Sequence, residues 1–492
     1  MKSRLSKFGS WKRVMKTDSR ENRNNAQSGL DFSKDYLINL LVPLVLEQIL
    51  ALGCGLADSV MVSAAGETAV AGVSLVDSIN YLLINLFSSL ATGGAVAATH
   101  RLGQKKPEEA SRVAGQLIYS ETTVAILVAS MAIVFRTPLL GALFGTAEPD
   151  ILNAAEIYLL VTALSFPFIG LYNACAALSR AMGDSKTTML VSFGMDIFNI
   201  AGNAFFIFVM KWGVFGVALS TLLARAVSAT VMLWVMRNPG REIHLSRAGR
   251  FRPDADILKE IFRVGIPTGM DACVFQAGKI ILQRLVVSLG TAAIAANSIA
   301  GTVAGIAVIP AQAVGFAMVP IVGQLVGAHE FKRAEQYVWR LLRYAEVFML
   351  ILNVFIVLFS GKLAGMYMVS KEAVSLATGI IIMHSVMAVL FWPAGFALPN
   401  AIRAASDAIF TMIISLLCMW VFRIGLSYLF VEQFRWRLYG IWLAMGADWA
   451  VRSLVFLLYV RSGRWLAMYQ KTGMNEAVRE NAADKNTAGG EK

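Results

Sequence analysis

Two carboxylates in the first long apolar stretch are the residues of this chain whose type and spacing most suggest chemistry. Glu47 and Asp58 lie in an apolar run over residues 37–61. Eleven residues along an α-helix return to nearly the same face, about 16 Å further along its axis. A charge at the centre of a membrane helix costs about 2.5–3.5 kcal/mol on insertion scales, so such acids usually face water, a partner or a ligand. We therefore predict that Asp58 binds a cation or proton. Two alternatives stay open: Asp58 could reach the membrane surface, and Glu47 could pair with a basic residue.

Polar side chains recur every three or four residues along one side of two further apolar stretches. They are Asp77, Tyr81 and Asn85 in the second stretch, and Asp196, Asn199 and Asn203 in the fifth. Carboxylates and amides on one helix face predict an aqueous interior that binds a cation or a polar substrate. The competing interpretation is hydrogen bonding between helices, which is worth only about 0.6 kcal/mol in membranes.

The seventh apolar stretch has a different set of polar residues. Lys279 lies deep in it, with Gln276 and Gln283 on adjoining parts of the same face. A lysine at that depth must be neutral, paired or hydrated, so we predict that it borders a cavity and meets an acid or an anionic group. His384, in the tenth stretch, titrates near neutral pH if it is accessible, although a lone helix histidine more often packs against its neighbours.

The composition excludes several classes of protein. Of 492 residues, 57% are hydrophobic and 15% are charged, and the mean hydropathy is +0.61. This balance is typical of a polytopic membrane protein. The net charge of +12 does not indicate nucleic-acid binding, because the basic residues lie in short loops and tails. Four separate cysteines in apolar stretches predict no disulfide or zinc site, and no phosphate loop, paired histidines or activated nucleophile indicates an enzyme.

Stretches of about 20 apolar residues, the length that spans a bilayer, divide the chain into twelve predicted helices. They are residues 37–61, 78–99, 113–135, 153–178, 188–210, 214–236, 261–287, 302–326, 338–360, 375–400, 409–431 and 438–460. Lys and Arg concentrate in the two tails and in every second loop, which predicts that both termini are cytosolic. The loops 62–77 and 288–301 are then outside. No apolar core or cleavage-like site precedes residue 37, so we expect no removable signal peptide.

The chain repeats itself after 224 residues without a gap. Identical residues at this shift are Pro43 and Pro267, Val62 and Val286, Gly66 and Gly290, Ala71 and Ala295, Ser74 and Ser298, Gly103 and Gly327, and Ala110 and Ala334. Six helices per repeat bring each repeat back to the side where it started, so the repeats are parallel and a substrate site is expected between them. The predicted organisation is a tail (1–36), an N-lobe (37–236), a linker (237–259), a C-lobe (260–461) and a second tail (462–492).

The two repeats carry different chemistry at equivalent positions. Asp271 corresponds to Glu47, but Leu282 stands where the first repeat has Asp58. The loops RAMGD (180–184) and RAASD (403–407) also correspond. Their arginines are interpreted as anchors in the headgroup layer and their aspartates as helix caps, without a transport role.

Residues 35–460 resemble the multidrug and toxic compound extrusion (MATE) family. The resemblance rests on the twelve spans, on VPLVLEQILALGCGLADSVMVSAAGETAVAGVSL (42–75) with its equivalent GIPTGMDACVFQAGKIILQRLVVSLGTAAIAANSI (265–299), and on the two loops above. It implies an all-α fold with two six-helix lobes around a central cleft, a multi-pass protein of the cell membrane. It also implies a secondary transporter that exchanges H⁺ or Na⁺ for small organic, often cationic, compounds, with no other cofactor and no obligate protein partner.

The resemblance also assigns residues. Asp58 matches the first-helix acid used for cation coupling, and Asn199 and Asn203 match the polar pair of the fifth helix. Some members have an acid in place of Asn203, and the sodium-linked branch has an acid near Phe275, which is apolar here; this favours the proton. The runner-up is a flippase for lipid-linked saccharides, which would need a large basic groove, and an ion channel or membrane-embedded enzyme is more distant.

Overall fold

The computed structural model describes residues 30, 32–64, 66–145, 148–245, 252–467 and 469. The predicted tails therefore lie almost entirely outside the described residues. The chain divides at Ile38. In the described part of the short N-terminal unit, the Ser33 hydroxyl accepts a hydrogen bond from the Tyr36 amide (3.1 Å) at the start of the first helix. Everything below concerns the second unit, residues 39–492.

Twelve helical segments, numbered α1 to α12, match the twelve predicted spans one to one. They are α1 (Lys34–Ser63), α2 (Glu67–Gly103), α3 (Pro107–Val134), α4 (Pro149–Leu164 with Phe166–Ala181), α5 (Ser185–Val209), α6 (Gly213–Met236), α7 (Ala255–Val287), α8 (Thr291–Ala307 with Ile309–Gly327), α9 (Phe331–Gly365), α10 (Lys371–Ala404), α11 (Ala408–Gln433) and α12 (Arg437–Arg461). A short helix, Arg136–Phe144, connects α3 and α4. The described residues contain no strand. The predicted all-α, twelve-span architecture is confirmed.

Proline and charge explain why two spans are irregular and one is unusually polar. Ten helices are long and apolar enough to cross a membrane, and the α4 pair, bent by 45° between Leu164 and Phe166, makes an eleventh. Pro167 follows that bend, and Pro310 follows the break in α8. Proline lacks the amide that would continue the hydrogen-bond ladder, so a helix restarts there more readily than it continues. The remaining span is α7, which contains Asp271 and Lys279.

The turns of the two repeats have the same backbone conformation. Positive φ angles recur in pairs 224 residues apart at Gly66 and Gly290 (101° and 95°), Lys105 and His329 (60° and 59°), and Lys211 and Arg435 (56° and 54°). Because positive φ is uncommon for residues other than glycine, its recurrence shows that both repeats share one main-chain design. The predicted loops 62–77 and 288–301 are wrong in extent. The polar residues after Gly66 extend α2, which begins at Glu67, and α8 begins at Thr291, so both helices start well inside the predicted loops.

Each repeat closes its linker-side end with an internal ion pair. The linker side is the end of the helices that carries residues 237–245 and 252–254. Arg180, at the end of α4, lies 3.5 Å from Glu47 of α1, and in the second repeat Arg403 lies 2.7 Å from Asp271. The interpretation of both arginines as headgroup anchors is therefore wrong, because equivalent acids on the first helix of each repeat hold them inside.

The aspartates of the same loops cap helices, as predicted. Asp184 accepts the amide of Thr187 at 3.0 Å, and Asp407 accepts the amide of Phe410 at 3.4 Å. These bonds satisfy amides that a helix N-terminus leaves without intrahelical partners.

The two repeats touch each other on the linker side. Arg101 of α2 forms an ion pair with Glu260 of α7 (2.8 Å), and the His100 ring lies 2.7 Å from the carbonyl oxygen of Ala404. The Gln324 amide also donates to the Ala181 carbonyl oxygen at 2.9 Å, so these hydrogen bonds between the repeats all lie on this side. The main chains cross so closely that a Cβ on Gly93 would meet the backbone of Gly265 at 2.8 Å. This closure leaves the polar residues near Asp58 in the half of the helices where no such bond is found.

Large apolar side chains cover the outward faces of several helices. On α9, Phe348, Leu350, Phe355 and Leu358 are exposed, Leu358 by 72%. A soluble protein would bury such a stripe, whereas lipid accommodates it without cost.

Candidate ion and substrate site

The carboxylate of Asp58 lies at the centre of a polar cluster between α1, α5 and α6. The half-buried Asp58 lies five residues before Ser63, the end of α1 away from the linker side. The fully buried Asn203 amide donates a hydrogen bond to its Oδ1 at 2.6 Å. A hydrogen bond to a charged acceptor is short and about twice as strong as one between neutral groups. This contact holds the carboxylate toward the interior of the repeat, which argues against a side chain that reaches the membrane surface.

The second amide of α5, Asn199, completes the cluster. With its NH₂ toward Asp58, it donates to both carboxylate oxygens, at 2.9 and 3.1 Å, while its oxygen accepts from the Thr221 hydroxyl at 3.3 Å. This orientation is assigned from the hydrogen-bond network, since it satisfies both ends of the amide. The Ser220 hydroxyl donates to the Asn199 carbonyl oxygen at 2.8 Å and fixes α6 beside α5. The predicted trio of Asp58, Asn199 and Asn203 is thus in mutual contact.

A second carboxylate, Asp77 of α2, lies close to the first. The Tyr158 hydroxyl donates to Asp77 Oδ1 at 3.2 Å, and the Asn80 amide approaches the same oxygen at 3.5 Å. The guanidinium of Arg225, on α6, interacts electrostatically with both Asp58 and Asp77, and it donates to the Ser165 hydroxyl at 2.7 Å. One internal cation thus partly balances two acids.

The other predicted acids of the first repeat lie further along the helices. Asp196 shares a hydrogen bond with the Cys54 thiol, and its buried Oδ2 has no hydrogen-bond partner among the described residues. Glu47 is 9% exposed, and besides its pairing with Arg180 it accepts the Thr188 hydroxyl at 3.2 Å. The structure therefore places Glu47 in a linker-side ion pair, the alternative that the sequence left open.

The polar face of α2 is accessible. Tyr81 is 55% exposed, and the Asn85 amide, half-buried, donates to the Tyr81 carbonyl oxygen at 2.7 Å. The Asn85 amide is therefore hydrogen-bonded to the backbone of its own helix, whereas the Tyr81 ring is exposed enough to contact a bound compound.

In the second repeat, Lys279 does not meet the acid that the sequence predicts. Its side chain is exposed, and within the described ranges no carboxylate lies within 4 Å of its Nζ. Its electrostatic neighbour is another cation, Arg423 of α11. Gln276 is half-buried and Gln283 is exposed. His384 is buried edge-on against the rings of Trp442 and Trp449, 5.6 and 5.4 Å between ring centroids, as its packing interpretation predicts.

Sequence reasoning missed three residues of the Asp58 cluster. Arg225 had a clear signal, because it is a lone cation inside an apolar span and deserves the same attention as Asp58. Tyr158 and Thr221 had none, since both residue types are common in membrane helices. The fully buried Glu121 of α3 has the same signal as Arg225 and was also missed; neither of its carboxylate oxygens has a partner among the described residues. The described residues hold no group of three metal-ligating acids, histidines or cysteines.

Comparison with known proteins decides the family. Residues 43–205 and 267–429 each match MatE, and the two matches are offset by the 224 residues of the internal repeat. The chain belongs to the MatE family. This confirms the resemblance and the two-repeat architecture, and it identifies a multi-pass membrane protein.

Relatives in the MatE family and a solved structure extend over most of the chain. An uncharacterized transporter of Bacillus subtilis, YisQ, is 27% identical over 87% of this chain and 94% of its own length. A probable multidrug resistance protein of Thermotoga maritima, NorM, is 24% identical over 87% and 92%. A crystal structure of a MATE protein in complex with MaD3S has a TM-score of 0.82 at 21% identity, covering 89% of this chain and 96% of that one.

Proposed function

We propose that this protein is a multidrug exporter that couples efflux of small organic, often cationic, compounds to cation antiport. The observation that carries the proposal is the Asp58 carboxylate, which two amides hold in the half of the helices where the described residues form no hydrogen bond between repeats. An acid so placed can meet a cation from the open side. The related probable multidrug resistance proteins support the substrate class.

The coupling role of Asp58 follows from its two kinds of neighbour. The Asn199 and Asn203 amides stabilise the ionised carboxylate, whereas surrounding apolar residues favour the neutral form. A small change in water access between two states therefore changes the occupancy of the site. The coupling free energy cannot exceed the difference in cation binding between those states.

The proton is the favoured coupling ion. In the second repeat, Phe275 occupies the region where sodium-linked members carry an acid, and its ring lies 5.2 Å below the guanidinium carbon of Arg423. A cation fixed at that place repels sodium. Asp58 is then the proton carrier of the exchange.

Alternating access requires the two lobes, 37–236 and 260–461, to move against each other. We place the linker and both termini in the cytosol, as the basic loops indicate. The contacts of Arg101 and His100 with the second repeat then close the cytosolic side, and the Asp58 cluster faces outward. Release of the bound compound follows protonation from outside, and deprotonation toward the cytosol favours capture. The flippase alternative gains no support from this cluster, whose carboxylates repel a pyrophosphate.

Reconstituted protein tests the proposal. Liposomes with an imposed pH gradient, or separately a sodium gradient, are assayed for accumulation of ethidium, a fluorescent cation. We expect the pH gradient to drive transport, and Asp58→Asn to abolish gradient-driven transport while it retains the native melting temperature. Asp150→Asn, at an exposed aspartate in the first turn of α4, is the matched control and should transport normally.

Two results would contradict this reasoning. Transport by Asp58→Asn at the native rate would move the coupling site to another acid, such as Asp77. Absence of transport under either gradient, with folded native protein, would exclude antiport of this compound class.

A further inference from the structure

The helices that form the interior of the second repeat carry more positive than negative charge. Four cations and two acids of α7, α10, α11 and α12 interact with one another: Lys279, Arg403, Arg423 and Arg452, with the carboxylates of Asp271 and Asp448. Arg403 forms an ion pair with Asp271 at 2.7 Å, and Arg452 forms one with Asp448 at 3.1 Å. Arg423 therefore shares Asp448 with Arg452, and Lys279 has no carboxylate within 4 Å among the described residues.

Arg423 is buried with unused hydrogen-bond donors. The residue is 9% exposed, and its Nη1 lies 3.6 Å from Asp448 Oδ2, an ion-pair distance that is too long for a hydrogen bond. Its Nε and Nη1 are both buried and have no hydrogen-bond partner among the described residues. Arginine is always charged, and a buried charged donor without an acceptor is costly. The two donors point to different sides of the guanidinium, and a carboxylate is the acceptor that either of them would bind most strongly.

Lys279 supplies a second cation on the same surface. It follows Phe275 by one helical turn of α7, so the two side chains share a face. The Phe275 ring carries the Arg423 guanidinium at 5.2 Å, and Arg423 is the charge that acts on Lys279. Two like charges side by side repel each other, and an anion between them removes that repulsion.

Aromatic rings pack next to Phe275. Phe275 meets Phe396 edge-on at 6.3 Å, and Phe396 stacks on Trp392 at 5.1 Å and meets Trp449 at 5.9 Å. The buried Trp449 Nε1 also has no acceptor among the described residues. Flat apolar rings beside two cations favour an aromatic acid over an inorganic anion.

The backbone around Arg423 is also irregular. Residues Cys418–Gly425 form a π-helical segment within α11. Such segments are uncommon and often occur at functional sites, because the extra residue per turn displaces a side chain from the regular helical position. Here the displaced segment is the one that carries Arg423.

We propose that Lys279 and Arg423 form an anion subsite that binds the carboxylate of aromatic, zwitterionic substrates. This inference rests on the proposed export function and narrows its substrate class. The second repeat binds the acid group of the compound, and its basic group binds near the acids of the first repeat. The Lys279 ammonium and the free donors of Arg423 contact the carboxylate, and the rings of Phe275 and Phe396 contact the aromatic part.

A matched pair of dyes tests the subsite. Rhodamine B carries a free carboxylate and a delocalised cation, and its ethyl ester keeps the cation and loses the acid. Binding of each is followed by fluorescence anisotropy with purified protein in nanodiscs of phosphatidylcholine. We expect the acid to bind more tightly than the ester, and Lys279→Gln to weaken acid binding about tenfold, the order expected for a lost charge-assisted hydrogen bond, without a change for the ester.

Control variants separate charge from structure. Lys279→Arg keeps the cation and should retain the preference for the acid. Arg284→Gln removes an exposed cation from the same helix, on a different face, and should bind both dyes as the native protein does. Lys279 has no ion-pair partner among the described residues, so Lys279→Gln should keep the native melting temperature.

The outcomes distinguish this subsite from a lipid site and from the parent proposal. Equal effects of Lys279→Gln on acid and ester would overturn the subsite while leaving export intact. Loss of acid binding when phosphatidylglycerol is added to the nanodiscs, with no effect of Lys279→Gln in phosphatidylcholine alone, would assign the cations to a lipid headgroup and also overturn it. Binding of neither dye by folded native protein would contradict the subsite and the proposed substrate class together.

Discussion

Substitution of Gly93 by alanine should shift the protein away from the state described here. Gly93 lies where α2 of the first repeat crosses α7 of the second, and a Cβ there would overlap the Ile261 carbonyl oxygen and lie 2.8 Å from the Gly265 amide nitrogen. Both neighbours are backbone atoms, so no side-chain rotation can relieve the overlap. The two repeats must separate on the linker side by roughly 1 Å to restore ordinary van der Waals contact.

The size of the shift follows from the clash alone. Overpacking of a close contact costs about 1–3 kcal/mol, and only the state with the linker side closed carries this cost. Alanine also improves the helix propensity at this position by about 1 kcal/mol, but α2 is helical in both states, so this gain cancels in their ratio. The ratio of the two populations therefore changes by roughly 5- to 150-fold.

Distance measurements between spin labels report those populations. Labels at Glu108 and Lys332, both exposed on the linker side of different repeats, in a background with serine in place of the four cysteines, should show a longer component in Gly93→Ala. Two alanine controls bracket the effect. Gly53 has nothing within 4 Å of a new Cβ, and the three atoms nearest to a Cβ on Gly94 belong to the Leu117 side chain of its own repeat.

An unchanged distance distribution in Gly93→Ala would refute this reasoning. If the melting temperature fell at the same time, the contact would stabilise both states equally and would not belong to a gate. A longer distance in Gly94→Ala as well would show that general loosening of α2, rather than the crossing of the repeats, is responsible.

Three further substitutions test individual contacts. Arg403→Gln should lower the free energy of unfolding by about 3 kcal/mol, because it leaves buried Asp271 without its cation; chemical denaturation should show partial recovery when Asp271→Asn is added, and no recovery would contradict the pairing. Gly290→Ala should cost about 1–3 kcal/mol, because φ 95° with ψ 173° is a conformation nearly exclusive to glycine, seen as a lower melting temperature that the regular-helix control Gly301→Ala does not share. Asn203→Ala should reduce pH-driven ethidium transport about tenfold through loss of its hydrogen bond to Asp58, and native transport by this variant would remove Asn203 from the coupling site.

The helical architecture could be read from the sequence because it depends on patterns that lipid enforces. A backbone in hydrocarbon must satisfy its hydrogen bonds internally, so twenty apolar residues predict a helix with little ambiguity. The ends were less predictable. Glu67 and Thr68 look like loop residues, yet they continue α2, because a helix extends beyond the hydrocarbon region wherever its neighbours support it.

The Asp58 cluster was predictable in part, and the ion pairs were not. Acids and amides are costly to place in an apolar span, so their presence there indicates a function, and Asp58, Asn199 and Asn203 could be found in this way. Their hydrogen-bond partners depend on which helices pack together. Nothing in the sequence distinguishes Tyr158 and Thr221 from the other tyrosines and threonines of the chain. The pairing of Arg403 with Asp271 can be predicted only when the fold of the repeat is known, since 132 residues separate them. For Lys279, its position deep in an apolar span predicts that it needs a partner but does not say which residue that partner is.

The ion pair between Arg101 and Glu260 makes the protein responsive to the ionic medium. Within the described ranges, this carboxylate and guanidinium join one repeat to the other. Their side chains are 17% and 25% exposed, so dissolved ions can approach the pair. Screening shortens from about 10 Å at 0.1 M salt to about 3 Å at 1 M. The Glu47 and Asp271 pairs lie inside single repeats and do not oppose a relative motion. A rise in ion concentration on the linker side should therefore weaken this contact between the repeats, to a degree that its partial burial limits, without opposing or favouring motion inside either repeat.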